Sequence, residues 1–362
     1  MNTRIKTSDN RQWFGWSDAG RVFVAFVLLV VPLALTAQAQ SGDVGRQVTK
    51  VGTTSADFLS IPVGARATAM GGAVSAVVND GTSIYWNPAG LAGIRNGIFT
   101  VENAEWIADI TFNYLSVILP AGSGTMGFGV TALRTGEMEV TTEEQQDGTG
   151  ETFRAGSYAF ALSYGRSLTD RFSIGANVKL ITEHISNSTA NGVALDIGTL
   201  FTTPFRGIRL GASISNFGTK MKMSGDDLLV PVDIAPGMEG NNQSTRGRIT
   251  TDPFDLPLMM RIGLAGEVYE TGNSRITVAV DALNPNNNQQ YVNVGSEIAL
   301  LGEVVLLRGG YSELFLEDSE RSFTAGAGLR YGFGSLDVAF DYAYEAHENL
   351  NGVNRFTLMV RF

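Results

Sequence analysis

Val353-Asn354-Arg355-Phe356-Thr357-Leu358-Met359-Val360-Arg361-Phe362 alternates residue by residue to the last position of the sequence. Successive side chains of an extended strand point to opposite faces. Phe356, Leu358, Val360 and Phe362 therefore share one face, and Arg355, Thr357, Met359 and Arg361 the other. A strand with one apolar face and one face carrying two arginines suits a barrel wall with lipid outside and water or polar side chains inside. Phe362, an aromatic residue closing that strand, is the candidate assembly signal.

The same pattern recurs upstream. Phe172, Ile174, Ala176, Val178 and Leu180 oppose Ser173, Asn177, Lys179 and Glu183. Leu336, Val338, Phe340, Tyr342 and Tyr344 oppose Asp337, Asp341 and Glu345. Leu258, Met260, Ile262, Leu264 and Val268 oppose Arg261 and Glu267, and Val193, Leu195, Ile197 and Phe201 oppose Asp196. Tyr158, Phe160, Leu162 and Tyr164 oppose small and polar residues. Further alternating stretches at 97–103, 108–119, 124–134, 207–216, 274–283, 290–301, 304–313 and 321–333 bring the total to roughly fourteen strands. An even number suits a bacterial outer-membrane barrel.

Link lengths give a second test, since such barrels have short periplasmic turns and longer outer loops. Short links are expected at 120–123, 169–170, 203–206, 271–273, 301–303 and 333–335. Longer ones are expected at 135–154, 186–190, 217–256, 284–289, 314–320 and 345–352, with a first hairpin near 103–105. Alternation also marks the half-buried sheet of a soluble sandwich. Strand number, side-alternating links, the final aromatic residue and an export signal together select the barrel.

That export signal lies at the start. A leader with Arg4, Lys6, Arg11 and Arg21 precedes an apolar run, Val22 through Leu35, and an Ala37-Gln38-Ala39 cleavage signature. The run is nearer the h-region of a secretory signal peptide than a membrane span of about 20 residues. The expected organisation is a signal peptide at 1–39, a periplasmic or plug segment at 40–96 and a transmembrane barrel at 97–362, in the outer membrane of a Gram-negative bacterium. Charged residues make up only 17% of the chain, glycines number 43, and cysteine is absent, which removes thiol chemistry. The formal charge of −10 argues against nucleic acid as a partner.

Residues 41–96 are rich in small side chains. They contain Phe58-Leu59-Ser60-Ile61-Pro62-Val63-Gly64-Ala65-Arg66-Ala67-Thr68-Ala69-Met70-Gly71-Gly72-Ala73, then Asn79-Asp80-Gly81, then Tyr85-Trp86-Asn87-Pro88-Ala89-Gly90-Leu91. This series of about 40 residues resembles the amino-terminal signature of the PorV/PorQ family, whose members are similar to FadL-type outer-membrane transporters. The Asn-Pro-Ala element is shared with FadL-type proteins; the stretch from Gly64 to Gly72 is the more specific part. The resemblance implies a fourteen-stranded barrel with an amino-terminal plug. It also implies a part in the type IX secretion system: sitting beside the large translocon barrel, binding secreted cargo by its carboxy-terminal sorting domain, and passing it to surface-attachment components. The alternative is passive transport of hydrophobic small molecules, as in FadL-type proteins.

No catalytic constellation is visible. His184 and His347 are the only histidines, and no G-x-S-x-G element occurs. No enzyme activity, cofactor or metal is expected; the acidic run Glu143, Glu144, Asp147 and Glu151 fits no EF-hand spacing. Candidate plug and lumen residues are Arg66, Asp80, Asn87, Asp196, Glu267, Asp337 and Asp341. A guanidinium inside a plug needs a carboxylate, and Asp196, Glu267, Asp337 or Asp341 would serve Arg66. Apolar residues in outer loops need a cover. Met221, Met223, Leu228, Leu229, Val230, Phe315 and Leu316 are therefore the candidate partner-binding residues.

Overall fold

The computed structural model describes residues 50–234, 237, 245–317 and 319–362; the expected signal peptide lies outside them. Fourteen strands form the wall: β1 (Ile98–Glu105), β2 (Thr111–Ala121), β3 (Gly124–Arg134), β4 (Ala155–Ser167), β5 (Phe172–Ile185), β6 (Ser188–Thr202) and β7 (Arg209–Gly218). The second half is β8 (Met259–Glu270), β9 (Ser274–Pro285), β10 (Tyr291–Leu300), β11 (Val305–Leu314), β12 (Arg321–Phe333), β13 (Leu336–His347) and β14 (Val353–Arg361). Each pairs antiparallel with the next. β14 returns to β1 with Phe99 opposite Val360, closing the barrel without a free edge.

The alternation sorts side chains as hydrocarbon demands. On β14, Phe356 and Leu358 are exposed to the surroundings while Arg355 and Thr357 are buried inside. On β5, Ile174, Val178 and Leu180 face outward while Asn177 and Lys179 are buried. No helix of the described residues is long and apolar enough to cross a membrane. The chain crosses with its strands, and every backbone N–H within a strand has a neighbour to bond.

Links of one end are short: 122–123, 168–171, 203–208, 271–273, 301–304 and 334–335. Gly97 and Phe362 lie at this end and bond each other's backbones at 2.9 Å in both directions. It is the periplasmic, inner end. Two expected boundaries need correction. The first outer link is 106–110, because Asn103, Ala104 and Glu105 stay paired with β2 and β14. Its turn uses left-handed Ala108 and Asp109, residues that give no Gly or Pro signal. The link expected at 186–190 shrinks to a turn at 186–187, since Ser188, Thr189 and Ala190 remain in register with Ile185, His184 and Glu183. That hairpin is capped by the long outer link, whose Ser224–Gly225 pairs with Thr189 and Ser188.

Residues 56–94 fill the lumen as short turns: α1 (Ala65–Ala69), α2 (Ser83–Trp86) and a 3-10 stretch at Pro88–Gly93. α1 lies against β11–β14, and the 3-10 stretch against β3–β6. Small residues let plug backbone touch wall backbone. At φ +64° Gly71 is in the left-handed region, and a Cβ there would sit 2.8 Å from the Tyr311 backbone. A Cβ on wall residue Gly175 would sit 2.2 Å from the Pro88 carbonyl oxygen.

Candidate functional site in the plugged lumen and at the outer rim

Short helical turns leave many backbone groups without helical partners, and the barrel wall supplies them. Asp281 Oδ2 accepts from Val74 N at 3.1 Å and Ser75 N at 2.9 Å. Thr324 Oγ1 donates to Ala69 O at 3.1 Å and accepts from Gly71 N at 3.0 Å. Thr357 Oγ1 accepts from Ala65 N, and Tyr114 and Ser116 both donate to Gly81 O. Asn87 holds three elements at once. Its amide nitrogen donates to Ser75 O at 2.8 Å and to Thr199 O at 3.1 Å on β6, and its oxygen caps the 3-10 stretch by accepting from Ala89 N.

Charges form two layers. In the inner layer Arg66 of α1 donates from Nε to Glu297 Oε2 and from Nη1 to Asp80 Oδ2, each at 3.0 Å. Glu297 is buried and also accepts from Arg308 Nε at 2.8 Å and Arg275 Nη2 at 3.1 Å. Arg308 continues to Asp341 at 2.5 Å. Arg275 and Arg330 both reach Glu303. Burial alone would raise the Asp80 carboxyl. The Arg66 guanidinium and hydrogen bonds from Thr82 outweigh it and hold Asp80 below the usual carboxylate range. In the outer layer the fully buried Arg355 donates to Glu102 Oε1 at 3.0 Å and Pro62 O at 2.7 Å. Its guanidinium lies over the Trp106 and Phe112 rings. Val63, Met70, Val74 and Trp86 are buried together in the plug, where the wall's Arg261 lies over the Trp86 ring and Asp281 accepts from Val74 N.

The structure brings Arg66 and Asp80 together as plug residues, but Arg66 takes Glu297 as its wall partner. Asp196 bonds Lys179 at 2.7 Å, Glu267 pairs with Arg209, and Asp341 reaches the layer only through Arg308. Asp337 makes no ion pair among the described residues. Glu297, Glu102, Arg308 and Arg275 are not among the sequence candidates, and the sequence marks Arg355 only as a residue of the polar face of the last strand. Each sits on the inward parity of its strand, which the alternation does reveal.

At the outer rim one expected contact residue is corrected. Met221 is fully buried; its backbone pairs with Phe254 and its side chain fills the space beside Gly192, so it anchors the base of the long link. Above it Leu229–Val232 pairs with Thr245–Arg248 as a small hairpin. Met223, Leu228, Leu229, Val230 and Leu316 are half-buried, and Phe315 is exposed. His184 stacks on Tyr158 and His347 meets Trp106 edge-on, so the histidines belong to separate aromatic contacts.

The barrel with its filled lumen is similar to solved outer-membrane structures. The toluene transporter TodX of Pseudomonas putida covers 83% of this chain and 97% of its own at 13% identity, TM-score 0.52. The monoaromatic hydrocarbon channel CymD gives the same coverage and identity with TM-score 0.54. The toluene transporter TbuX of Ralstonia pickettii gives 12% identity, 83% and 97% coverage and TM-score 0.51. At such identity the likeness establishes the fold alone. No curated protein matches. The profile of the family described as type IX secretion system protein PorV matches residues 44–239. That match takes in the whole plug, the first seven strands and more than half of the sequence, and by it this outer-membrane barrel belongs to the PorV family.

Proposed function

We propose that the protein works at the outer end of its barrel as a protein-binding component of type IX secretion. It receives secreted proteins by their carboxy-terminal sorting domain and docks beside the large translocon barrel and its attachment partners. The observation that carries this reading is the filled lumen. The cavity between plug and wall around Trp86, Arg261 and Tyr291 has a volume of about 20 Å³, room for about one water molecule. With the lumen filled there, the outer links carry the proposed contacts. Their apolar members are Leu229, Val230 and the exposed Phe315.

Removing the hairpin at 229–248 tests this. Met221 and the Ser224–Gly225 pairing stay in place, so barrel assembly, read as heat-modifiable mobility, is expected to persist. Co-purification of a very large barrel from native envelope and the amount of surface-anchored protein are both expected to fall. Unchanged capture and unchanged surface protein would overturn the assignment to this hairpin. The second reading, passage of hydrophobic small molecules, has the fold likeness to TodX and CymD behind it. It requires the plug to shift. Uptake of a monoaromatic hydrocarbon by vesicles holding the purified barrel would favour it over the first.

A further inference from the structure

At the edge of the inner charge layer the wall forms a second, half-open pocket of about 290 Å³, close to the lower end of the range for small-ligand sites. Its lining includes Glu303, Val304, Arg330, Asp337, Met359 and Arg361. These residues stand where β11–β14 meet the short links 301–304 and 334–335, so the cavity belongs to the periplasmic mouth of the lumen. Arg330, Asp337, Met359 and Arg361 share the inward parity of Gly328, Asp341 and Arg355 on their strands.

The charges here differ from those above them. Arg66, Arg308 and Glu297 are buried and ion-paired with one another. Arg330 gives one N–H to Glu303 at 2.8 Å. Arg361, half-buried, makes no ion pair among the described residues, and neither does Asp337, its register partner across β13 and β14. Two guanidiniums with spare donors, a carboxylate in register with one of them and apolar Val304 and Met359 line the same pocket and form a mixed surface. A doubly charged phosphate would meet Glu303 and Asp337 as repulsion. A single carboxylate followed at once by an amide N–H meets complementary groups: two oxygens for the guanidinium fork and a donor for Asp337.

We propose that this inner vestibule binds the free carboxy-terminal end of a periplasmic peptide segment, one with an apolar last side chain to lie on Met359 and Val304. Arg361 and Arg330 hold the carboxylate, and Asp337 accepts from the amide behind it. The site is separate from the outer rim and stands whether or not the outer links bind cargo.

The test uses the purified full-length barrel in detergent and a fluorescein-labelled Gly-Gly-Leu peptide, as free acid and as carboxamide, read by anisotropy. The acid is expected to bind at least tenfold more tightly than the amide. Arg361→Gln and Arg330→Gln are each expected to weaken the acid at least tenfold while keeping heat-modifiable mobility. Asp337→Asn is expected to weaken acid and amide alike, since both carry the N–H. Equal binding of acid and amide, no binding at millimolar peptide, or indifference to Arg361→Gln would overturn the proposal. So would full displacement by an equal concentration of inorganic phosphate, which would show recognition of charge alone.

Discussion

Arg66 is one positive charge in a stretch of alanine, glycine and threonine, and its removal reaches further than its own contacts. Glu297 would keep Arg308 and Arg275, but Asp80 would be left buried with only Thr82. Breaking one side of a buried pair costs about 3–5 kcal/mol. Arg66→Met is accordingly expected to lower barrel stability by about 3 kcal/mol, seen as loss of the compact band at a lower temperature. Asp80 adds a pH dependence of defined sign. Its folded value lies below the ordinary carboxylate value of about 3.9, so its contribution is fully present above that value and is lost as pH falls through the folded one. The gap in unfolding temperature between wild type and Asp80→Asn should hold constant from neutral pH to about 5 and close only in stronger acid. A gap that widened in acid would contradict the pairing. The need for a partner to Arg66 was legible in the sequence; its identity was not. Inward parity narrows the choice to wall carboxylates, yet which one meets the plug depends on how far each strand is staggered around the barrel.

At the scale of the element, the strands were legible because lipid outside and polar groups inside impose a strict period of two. Turns were less so. The first hairpin turns without glycine or proline, and the turn at 186–187 is short because the outer link folds onto it. The plug carries no period at all. Its order comes from the wall, through glycines that admit backbone to backbone. Gly175→Val would drive a side chain into the Pro88 carbonyl and is expected to cost 1–3 kcal/mol or to block assembly. Gly266→Val is the control, since its nearest neighbour would be Ile208 at 3.5 Å. Equal mobility of the two variants would deny the close approach. At the seam, Phe362 lies over Gly97 and is half exposed at the inner rim. Phe362→Glu would place a charge in the interfacial aromatic belt, so less inserted barrel is expected in outer-membrane fractions.

Over the whole molecule the net negative charge gathers at one end. The described residues of the outer links hold fifteen acidic and five basic side chains, while the inner links hold two of each. Inside the barrel the charges are largely paired with one another or bonded to the plug. Two features stand against the passage of ions: the cavity between plug and wall around Trp86 holds only about 20 Å³, and the charges of the Arg66 and Arg355 clusters are committed to one another. In planar bilayers the full-length barrel is therefore expected to show no stepwise conductance at neutral pH. Deleting residues 58–92 removes both the packed plug and Arg66, yet leaves every wall-to-wall strand pairing in place. Arg308 would still bridge Glu297 and Asp341, and water would hydrate the groups the plug had satisfied. The deleted form is expected to insert and to conduct in discrete steps, with cations favoured on entry from the acidic outer side. Steady conductance by the intact barrel would mean that ions pass the plug as it stands. A silent but correctly inserted deletion would place the block in the outer links, and either result would break the link between the filled lumen and a function carried by the outer face.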